Sequence, residues 1–485
     1  MKDRIGNDIG AMGPKANWDD INWKPVYRRV RNLRRRIYRA TQQQQWNKVR
    51  SLMKLMLRSY CNLLTAVRRV TQENQGKRTA GVDGQLALTP KGRMRLVRGM
   101  RLYKIWQVKP VRRVYIPKTG GRRPLGIPTI KNRIAQAIVK NALEPSWEAR
   151  FEPSSYGFRP GRSCQDAVAH CWIRLRRGMD KWVLDADIKG AFDNISHDYI
   201  LKAIGKIPGR ELVKQWLKAG YVENEIFNAT KSGVPQGGVI SPLLANIALD
   251  GLEQLCRGRF GFIRYADDFV VTARRREDLE LLKPRIENWL KQRGLELNSA
   301  KTQIVSIDYG FNFLGFNVRQ FRGKCLIKPQ KEKVLSFLRD IRRWLKSNRQ
   351  ATAENVVRYL NPVLKGWANY YRHFVSKDTY AYVDAQLWSM LWKWALRRHP
   401  NKGLNWVKDR YFGYSHGRNW RFRTVCLNAY GDRVEMAVTN ITTIPITRHV
   451  KVKNAASPDD PSMLEYWIAR TAKARTTVAS MSMNA

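Results

Sequence analysis

The sequence predicts an α+β fold, and three observations carry that expectation. Trp182-Val183-Leu184-Asp185-Ala186-Asp187-Ile188 is an apolar run ending in acid, while Phe262-Ile263 and Phe269-Val270-Val271 flank Asp267-Asp268 in a strand, turn, strand pattern. Further strands are expected near residues 303–307 and 312–318, with helices between them in an irregular order rather than regular βαβ repetition. Beyond about residue 328, Val334, Phe337, Leu338, Ile341 and Leu345 share one helical face with Arg and Lys on the others, so a helical domain is expected to begin there.

Residues 24–70 read as basic helices, with Leu52, Leu55, Met56, Leu63, Val67 and Val70 as spaced apolar contacts. A Gly-rich break follows at Gly76–Gly84. Val111–Pro117 alternates like a strand, and Lys118–Pro124 reads as a hairpin turn. Asn132–Leu143 carries Ile134, Ile138 and Ala142 at helical spacing, and Pro145 is expected to end that helix. In the later helical region Trp344, Trp367, Tyr370, Tyr371, Trp388, Trp392 and Trp394 are interleaved with Arg and Lys. Most of them are expected in the core, because large aromatics usually bury, and the rest are candidate platforms for stacked bases. Residues 445–461 hold Pro445, Pro458 and Pro461 and read as a loop, and the chain after Trp467 reads as a polar tail.

The charge balance narrows the partner. Lys plus Arg number 90 against 39 Asp plus Glu, a formal net charge of +51. Residues 24–123 contain only two acids, Glu73 and Asp83. A solubilising surface mixes both signs, so a field this one-sided points to a polyanion, and nucleic acid is the expected one. An anionic membrane is the competing partner, but no long uninterrupted apolar run exists to enter it. At 485 residues the chain is long enough for two to four domains. Six scattered cysteines contain no CxxC pair, so neither a disulfide framework nor a zinc ribbon is expected and a reducing, intracellular setting fits. Met1–Gly13 has no apolar core of a secretory signal.

Acid at the end of buried strands is the chemistry-bearing feature. Burying an Asp pair costs several kcal/mol unless a cation compensates. Asp187, brought to Asp267 and Asp268, would complete a set of oxygen ligands suited to Mg²⁺, which keeps some waters and takes the rest of its shell from substrate phosphates. A solvated Asp-Asp turn is the alternative for the pair alone.

The order of the motifs carries a resemblance. Gly157-Phe158-Arg159-Pro160-Gly161-Arg162-Ser163, Asp187-Ile188-Lys189-Gly190-Ala191-Phe192-Asp193, Gly233-Val234-Pro235-Gln236-Gly237-Gly238, Tyr265-Ala266-Asp267-Asp268 and Phe313-Leu314-Gly315-Phe316 occur in that order. With the later Gly366-Trp367-Ala368-Asn369-Tyr370-Tyr371-Arg372, the chain resembles the reverse transcriptases, or maturases, encoded by group II introns. The resemblance implies a right-hand polymerase: a basic N-terminal extension over 1–80, fingers and palm over 81–325, a helical thumb or maturase domain over 326–405 and a small DNA-binding domain over 406–485.

It also implies roles. Asp187 and Asp267 would hold two Mg²⁺ ions, with the Ile188 carbonyl completing the shell and Asp268 supporting the geometry. Lys118 and Arg123 match contacts to the incoming triphosphate, Phe192 a steric gate favouring deoxynucleotides, Gln236 a contact to the sugar or base pair, and Lys301 a late-palm lysine that protonates pyrophosphate. A core Phe and surface cations are the bland readings of Phe192, Lys118 and Arg123. The glycines Gly237 and Gly238 would allow close backbone approach. Arg34, Arg35, Arg36, Arg112, Arg113, Arg159, Arg162, Trp367 and Arg372 are candidate contacts to RNA or DNA, a solvated helix face being the alternative for any single arginine.

Such proteins bind their own intron, assist its splicing and copy it into target DNA during retrohoming, which implies intron RNA, target DNA and deoxynucleotides as partners, no membrane, a monomer or a dimer, and a bacterial cytoplasmic or nucleoid location. Many relatives continue into an endonuclease with paired Cys and His. No cysteine lies beyond Cys426, so an endonuclease-lacking type is expected. The rival readings are a splicing cofactor with an unused polymerase site, a reverse transcriptase of retron or diversity-generating type, and an RNA-dependent RNA polymerase. The intact acids weigh against the first, the Trp367–Arg372 string against the second and Phe192 against the third.

Overall fold

The computed structural model describes residues 17–101, 108–118, 121–415, 417–427 and 430–472. Met1–Gly13, Thr119 and Gly120 of the hairpin turn, the side chain of Lys118 and the tail beyond residue 472 lie outside that description.

A four-stranded antiparallel sheet organises the molecule, with strand order Gly261–Tyr265, Asp268–Ala273, Trp182–Asp187 and Gln303–Ser306. Because side chains alternate along a strand, its two faces bury different sets. Leu184, Ala186, Phe262, Phe269 and Val271 enter one core, together with Leu279, Leu282, Ile286 and Leu290 of the helix Arg276–Lys291. Val183, Ile263 and Val270 enter the other, against Val168, Cys171 and Leu175 of the helix Cys164–Leu175. Asp185 and Asp187 fall on the second face by the same alternation.

These two cores do not follow the expected domain boundaries. The first continues through the helices Trp23–Gln42, Trp46–Arg58 and Tyr60–Arg68, which pack on Ile130–Glu148, so the basic N-terminal region is part of the fingers and palm core. The second continues into the thumb helices Lys331–Ser347, Ala353–Tyr371 and Lys377–Arg398. The boundary at 325 cuts the strand Lys324–Pro329, which pairs with Phe316–Phe321, and the helical domain starts at Lys331.

Pro145 does not end its helix. Ile130–Glu148 runs past it, because Leu143 and Trp147 are buried on either side and one missing N–H costs less than exposing them.

The palm meets the thumb at Phe313-Leu314-Gly315-Phe316. Phe313 pairs with Phe316, and both turn residues have positive φ, 51° and 78°, the geometry of a tight I′ hairpin. Tyr370 stacks on Phe316 at 5.3 Å and donates its hydroxyl to the Leu314 carbonyl at 2.7 Å.

The C-terminal region is not a separate globule throughout. Strands Phe412–Ser415, Arg418–Leu427 and Arg433–Ala437 form a small sheet that packs on the thumb. After it, the chain runs back as a strap. Asp166, at the third position of its own helix, accepts from the Val452 amide at 2.7 Å, from His449 at 2.8 Å and from Arg470 at 3.0 Å. Further along, Asp459 accepts from Nε and Nη2 of Arg34 in the first long helix.

Candidate active site

The Asp267 turn is built by register. Tyr265 pairs with Asp268, leaving Ala266 and Asp267 as a two-residue hairpin loop. Ala266 has φ 60° and Asp267 is not left-handed, as in a type II′ turn. An alanine holds that conformation because its surroundings are fixed. Gly157 abuts it so closely that a Cβ there would lie 2.3 Å from the Ala266 nitrogen. Arg264, wholly buried, donates to the Ala266 carbonyl at 3.2 Å and to Asn246 at 3.0 Å, and Asn246 donates to the Gly157 carbonyl at 2.8 Å. The buried Glu152 lies 3.9 Å from Arg264, and desolvation pushes its carboxyl up to about 7 against the pull of that arginine.

Across the sheet Asp187 faces Asp268 directly. Burial, then the charges of Asp267, Asp187 and Asp185, push the Asp268 carboxyl up to about 7. Asp185, two residues back on the same strand face, is raised to about 6, chiefly by burial. Asp185 is not among the expected ligands, although its two-residue spacing from Asp187 on a strand places both on one face.

The loop that carries Lys301 also carries Asn298, and both cap Asp187. Its Oδ2 accepts from Lys301 Nζ at 3.0 Å and from Asn298 Nδ2 at 3.1 Å, while the Asn298 amide donates to the Asp187 carbonyl at 2.8 Å. Ile188 is buried and forms an antiparallel bridge with Leu297. Among the described residues no three acids, histidines or cysteines converge tightly enough to enclose an ion as they stand. The donor set nevertheless fits a hard cation. Four carboxylates share one edge, and their mutual repulsion is what a divalent ion would relieve.

The nucleotide-contact candidates surround this edge. Phe192 is half-buried on the short helix Ala191–Asn194, and its carbonyl accepts from the Val234 amide at 2.6 Å. Its ring meets Phe158 edge-on at 6.1 Å. Phe158 was named only as a motif letter; it is about half exposed and left-handed, with φ 60°. Gln236 donates to both oxygens of Asp193 at 3.0 Å. The Pro-Gln-Gly-Gly turn docks on the fingers hairpin, where the Gly126 amide donates to the Gln236 carbonyl at 2.6 Å. A Cβ on Gly237 would lie 2.6 Å from the Gly126 oxygen, so the turn packs directly on the hairpin backbone. Arg123 is exposed on the strand Gly121–Ile127, opposite Ile116.

The candidate RNA or DNA contacts divide. Arg36 and Arg112 are exposed and Arg35 is half-buried. The others have partners within the protein. Arg34 is clamped between Glu144 and Asp459. Arg159 is buried, paired with Glu148 at 3.0 Å and donating to the Glu152 and Ser155 carbonyls. Arg162 donates to the carbonyls of Pro153 and Asn454, Arg113 lies 3.4 Å over the Tyr221 ring, and Arg372 is buried with a bond to Thr447. Trp367, half-buried, stacks on Phe337 at 4.8 Å against the thumb core. Arg34 and Arg159 are thereby corrected, because their guanidinium groups are held in buried ion pairs.

An antiparallel palm sheet with acids at a hairpin tip and on the neighbouring strand defines a nucleotidyl-transferring polymerase. Three families match along the chain: the N-terminal domain of reverse transcriptase over residues 18–100, reverse transcriptase (RNA-dependent DNA polymerase) over 116–318, and the group II intron, maturase-specific domain over 334–412. Protein YkfC of Escherichia coli is 33% identical over 311 residues, covering 54% of this chain and 81% of that protein. The group II intron-encoded protein LtrA of Lactococcus lactis is 28% identical over 379 residues, covering 57% of this chain and 63% of its own. The maturase-like protein 1 of Euglena gracilis is 26% identical, covering 73% and 78%. The chain belongs to the group II intron reverse transcriptases, RNA-directed DNA polymerases that carry a maturase domain.

Proposed function

We propose that this chain binds a group II intron RNA, assists its splicing and copies it into DNA at a target site. The observation that carries the reading is the facing pair Asp187 and Asp268 with Asp267 at the turn between paired strands, in a chain that continues into a maturase domain. Asp187 and Asp267 would hold Mg²⁺, with Asp268 and Asp185 supplying further negative charge. When bound, the ions supply activation of the primer 3′ hydroxyl and charge neutralisation on the triphosphate. The rest is positioning. Arg123, and Lys118 of the same fingers hairpin, would meet the triphosphate, the Phe192 ring limits space beside the sugar, and Gln236, oriented by Asp193, presents its amide to the nucleotide. The exposed Arg36 and Arg112 offer charge to RNA phosphates.

No helix among the described residues is long and apolar enough to cross a membrane. A splicing assay on precursor RNA at low Mg²⁺ tests the maturase half. The chain is expected to raise the spliced fraction, and an unchanged fraction with the RNA fully bound would contradict it.

A further inference from the structure

A groove of about 790 Å³ opens on the far side of the helix Cys164–Leu175 from the first core, and none of the acids, the Pro-Gln-Gly-Gly turn or the fingers hairpin lines it. Four segments remote in sequence build it: the end of that helix, the hairpin strand Lys324–Pro329, the entry to the thumb helix Lys377–Arg398 and the returning strap. Its floor is apolar, with Ala169, Ile173, Cys325, Ile327 and Phe374. Trp172 stands at the mouth, 43% exposed, although it lies on a helix whose other large apolar residues are covered. The rim is cationic: Arg176, Arg177, Lys324, Lys377, Arg448 and Lys451 line it, and no acid does among the described residues.

Three of those cations are committed, Arg176 lying 5.9 Å over the Trp172 ring itself. Lys377 donates to the Thr442 and Ile444 carbonyls, which fastens the strap, and Lys451 donates to Asn454. Arg177, Lys324 and Arg448 are exposed and enter no ion pair among the described residues.

We infer that the groove takes an unpaired nucleobase of a structured RNA, with Trp172 as its stacking partner and the free rim cations on the flanking phosphates. This deepens the RNA-binding part of the reading above and rests on it. The chemistry selects the occupant. A base has a flat apolar face to lay on Trp172 and a phosphate on either side to meet the rim, and the volume is that of a small-ligand site. A paired base in an A-form duplex is stacked away and cannot enter, so only a loop, bulge or end would bind here. An acidic peptide would match the rim but leaves the aromatic mouth without a flat partner.

The test compares the full chain with Trp172→Ala on two RNAs of equal phosphate number at one salt concentration, a stem-loop with an unpaired loop and a blunt duplex. The variant is expected to bind the stem-loop about tenfold more weakly, with duplex binding changed less than twofold. Arg177→Ala is expected to weaken both and to reduce the salt dependence. A 4-thiouridine in the loop is expected to cross-link to the peptide carrying Trp172. Equal changes for both RNAs, no loop cross-link, or a Trp172-dependent affinity for a Glu-rich peptide without one for the loop would each overturn the inference. Primer extension by the same preparations serves as the folding control. A parent chain that binds RNA but does not extend overturns the polymerase reading alone, whereas extension and duplex binding retained with no loop contrast overturns this one alone.

Discussion

The amine of Lys301 lies 3.0 Å from Oδ2 of Asp187, on the oxygen that also accepts from Asn298. A protein cation therefore stands on a carboxylate that a divalent ion would use. Lys301→Met should lower the Mg²⁺ concentration needed for half-maximal primer extension by several-fold. The lysine is more than half exposed, so stability should change by less than about 1 kcal/mol. A fall of about 10²-fold in maximal rate would add the proton-donor role to the same residue, and an unchanged rate would restrict it to the metal site. Titration of activity against Mg²⁺ separates the two effects, and an unaltered Mg²⁺ requirement would contradict the competition.

The turn under Asp267 is predicted to be intolerant from below and tolerant above. Gly157→Ala places a methyl group 2.3 Å from the Ala266 backbone, so the turn or the Gly157 loop must move. Loss of about 1–3 kcal/mol in stability and most of the activity is expected. Ala266→Gly keeps the φ of 60° without the steric cost of a side chain, and should leave activity intact with stability equal or higher by up to about 1 kcal/mol. Thermal denaturation paired with extension assays checks both. A Gly157→Ala protein as stable and active as the parent would refute the packing argument.

Phe158 supports Phe192 edge-on at 6.1 Å. Phe192→Ala should raise ribonucleotide incorporation relative to deoxynucleotide by about 10–100-fold, the discrimination a single steric contact supplies. Phe158→Ala, which removes the support and not the gate, should raise it by a smaller factor. Single-nucleotide kinetics with both sugar types measure the ratio. No change in either variant would return Phe192 to an ordinary core residue.

The strap depends on Asp166. Burial pushes its carboxyl up, but hydrogen bonds from His449, Ser163 and the Val452 amide overcome that and hold it at about 2. Its folded value is below the unfolded one near 3.9, so its stabilisation is complete above pH 4 and is lost as pH falls from about 4 to about 2. Asp166→Asn removes that contribution and leaves Arg470 facing an amide. It should cost on the order of 3 kcal/mol, expose residues 440–472 to proteolysis at pH 7 and flatten the acid limb of the stability curve. An unchanged digestion pattern would contradict the clamp.

Much of the palm was legible because its strands are short apolar runs that end in acid, so Asp187, Asp267 and Asp268 announce both the sheet and its use. Their pairing follows from the two-residue turn between Tyr265 and Asp268. The strap was not legible. Arg34 and Asp459 are 425 residues apart, and neither differs in local sequence from a solvated charge. The same reason explains the mistaken arginines: Arg159 reads as one more cation in a basic chain until Glu148 is found beside it in the interior. Asn298 acts only through its distance to Asp187, which no spacing rule for loops supplies. The sheet Phe412–Ala437 carried a weak signal, the alternation of Trp420 and Phe422 with Arg421 and Arg423, that aromatic helix patterns just before it obscured.

The central claim is that the carboxylates at this sheet edge drive RNA-templated DNA synthesis. Primer extension on an RNA template with deoxynucleotides and Mg²⁺, comparing the parent chain with Asp267→Ala and scoring RNA binding in parallel, tests it most directly. Extension by the parent, lost in the variant with RNA binding retained, is the predicted result. A parent that binds the RNA tightly and extends nothing would contradict it, leaving a protein that serves splicing through binding alone.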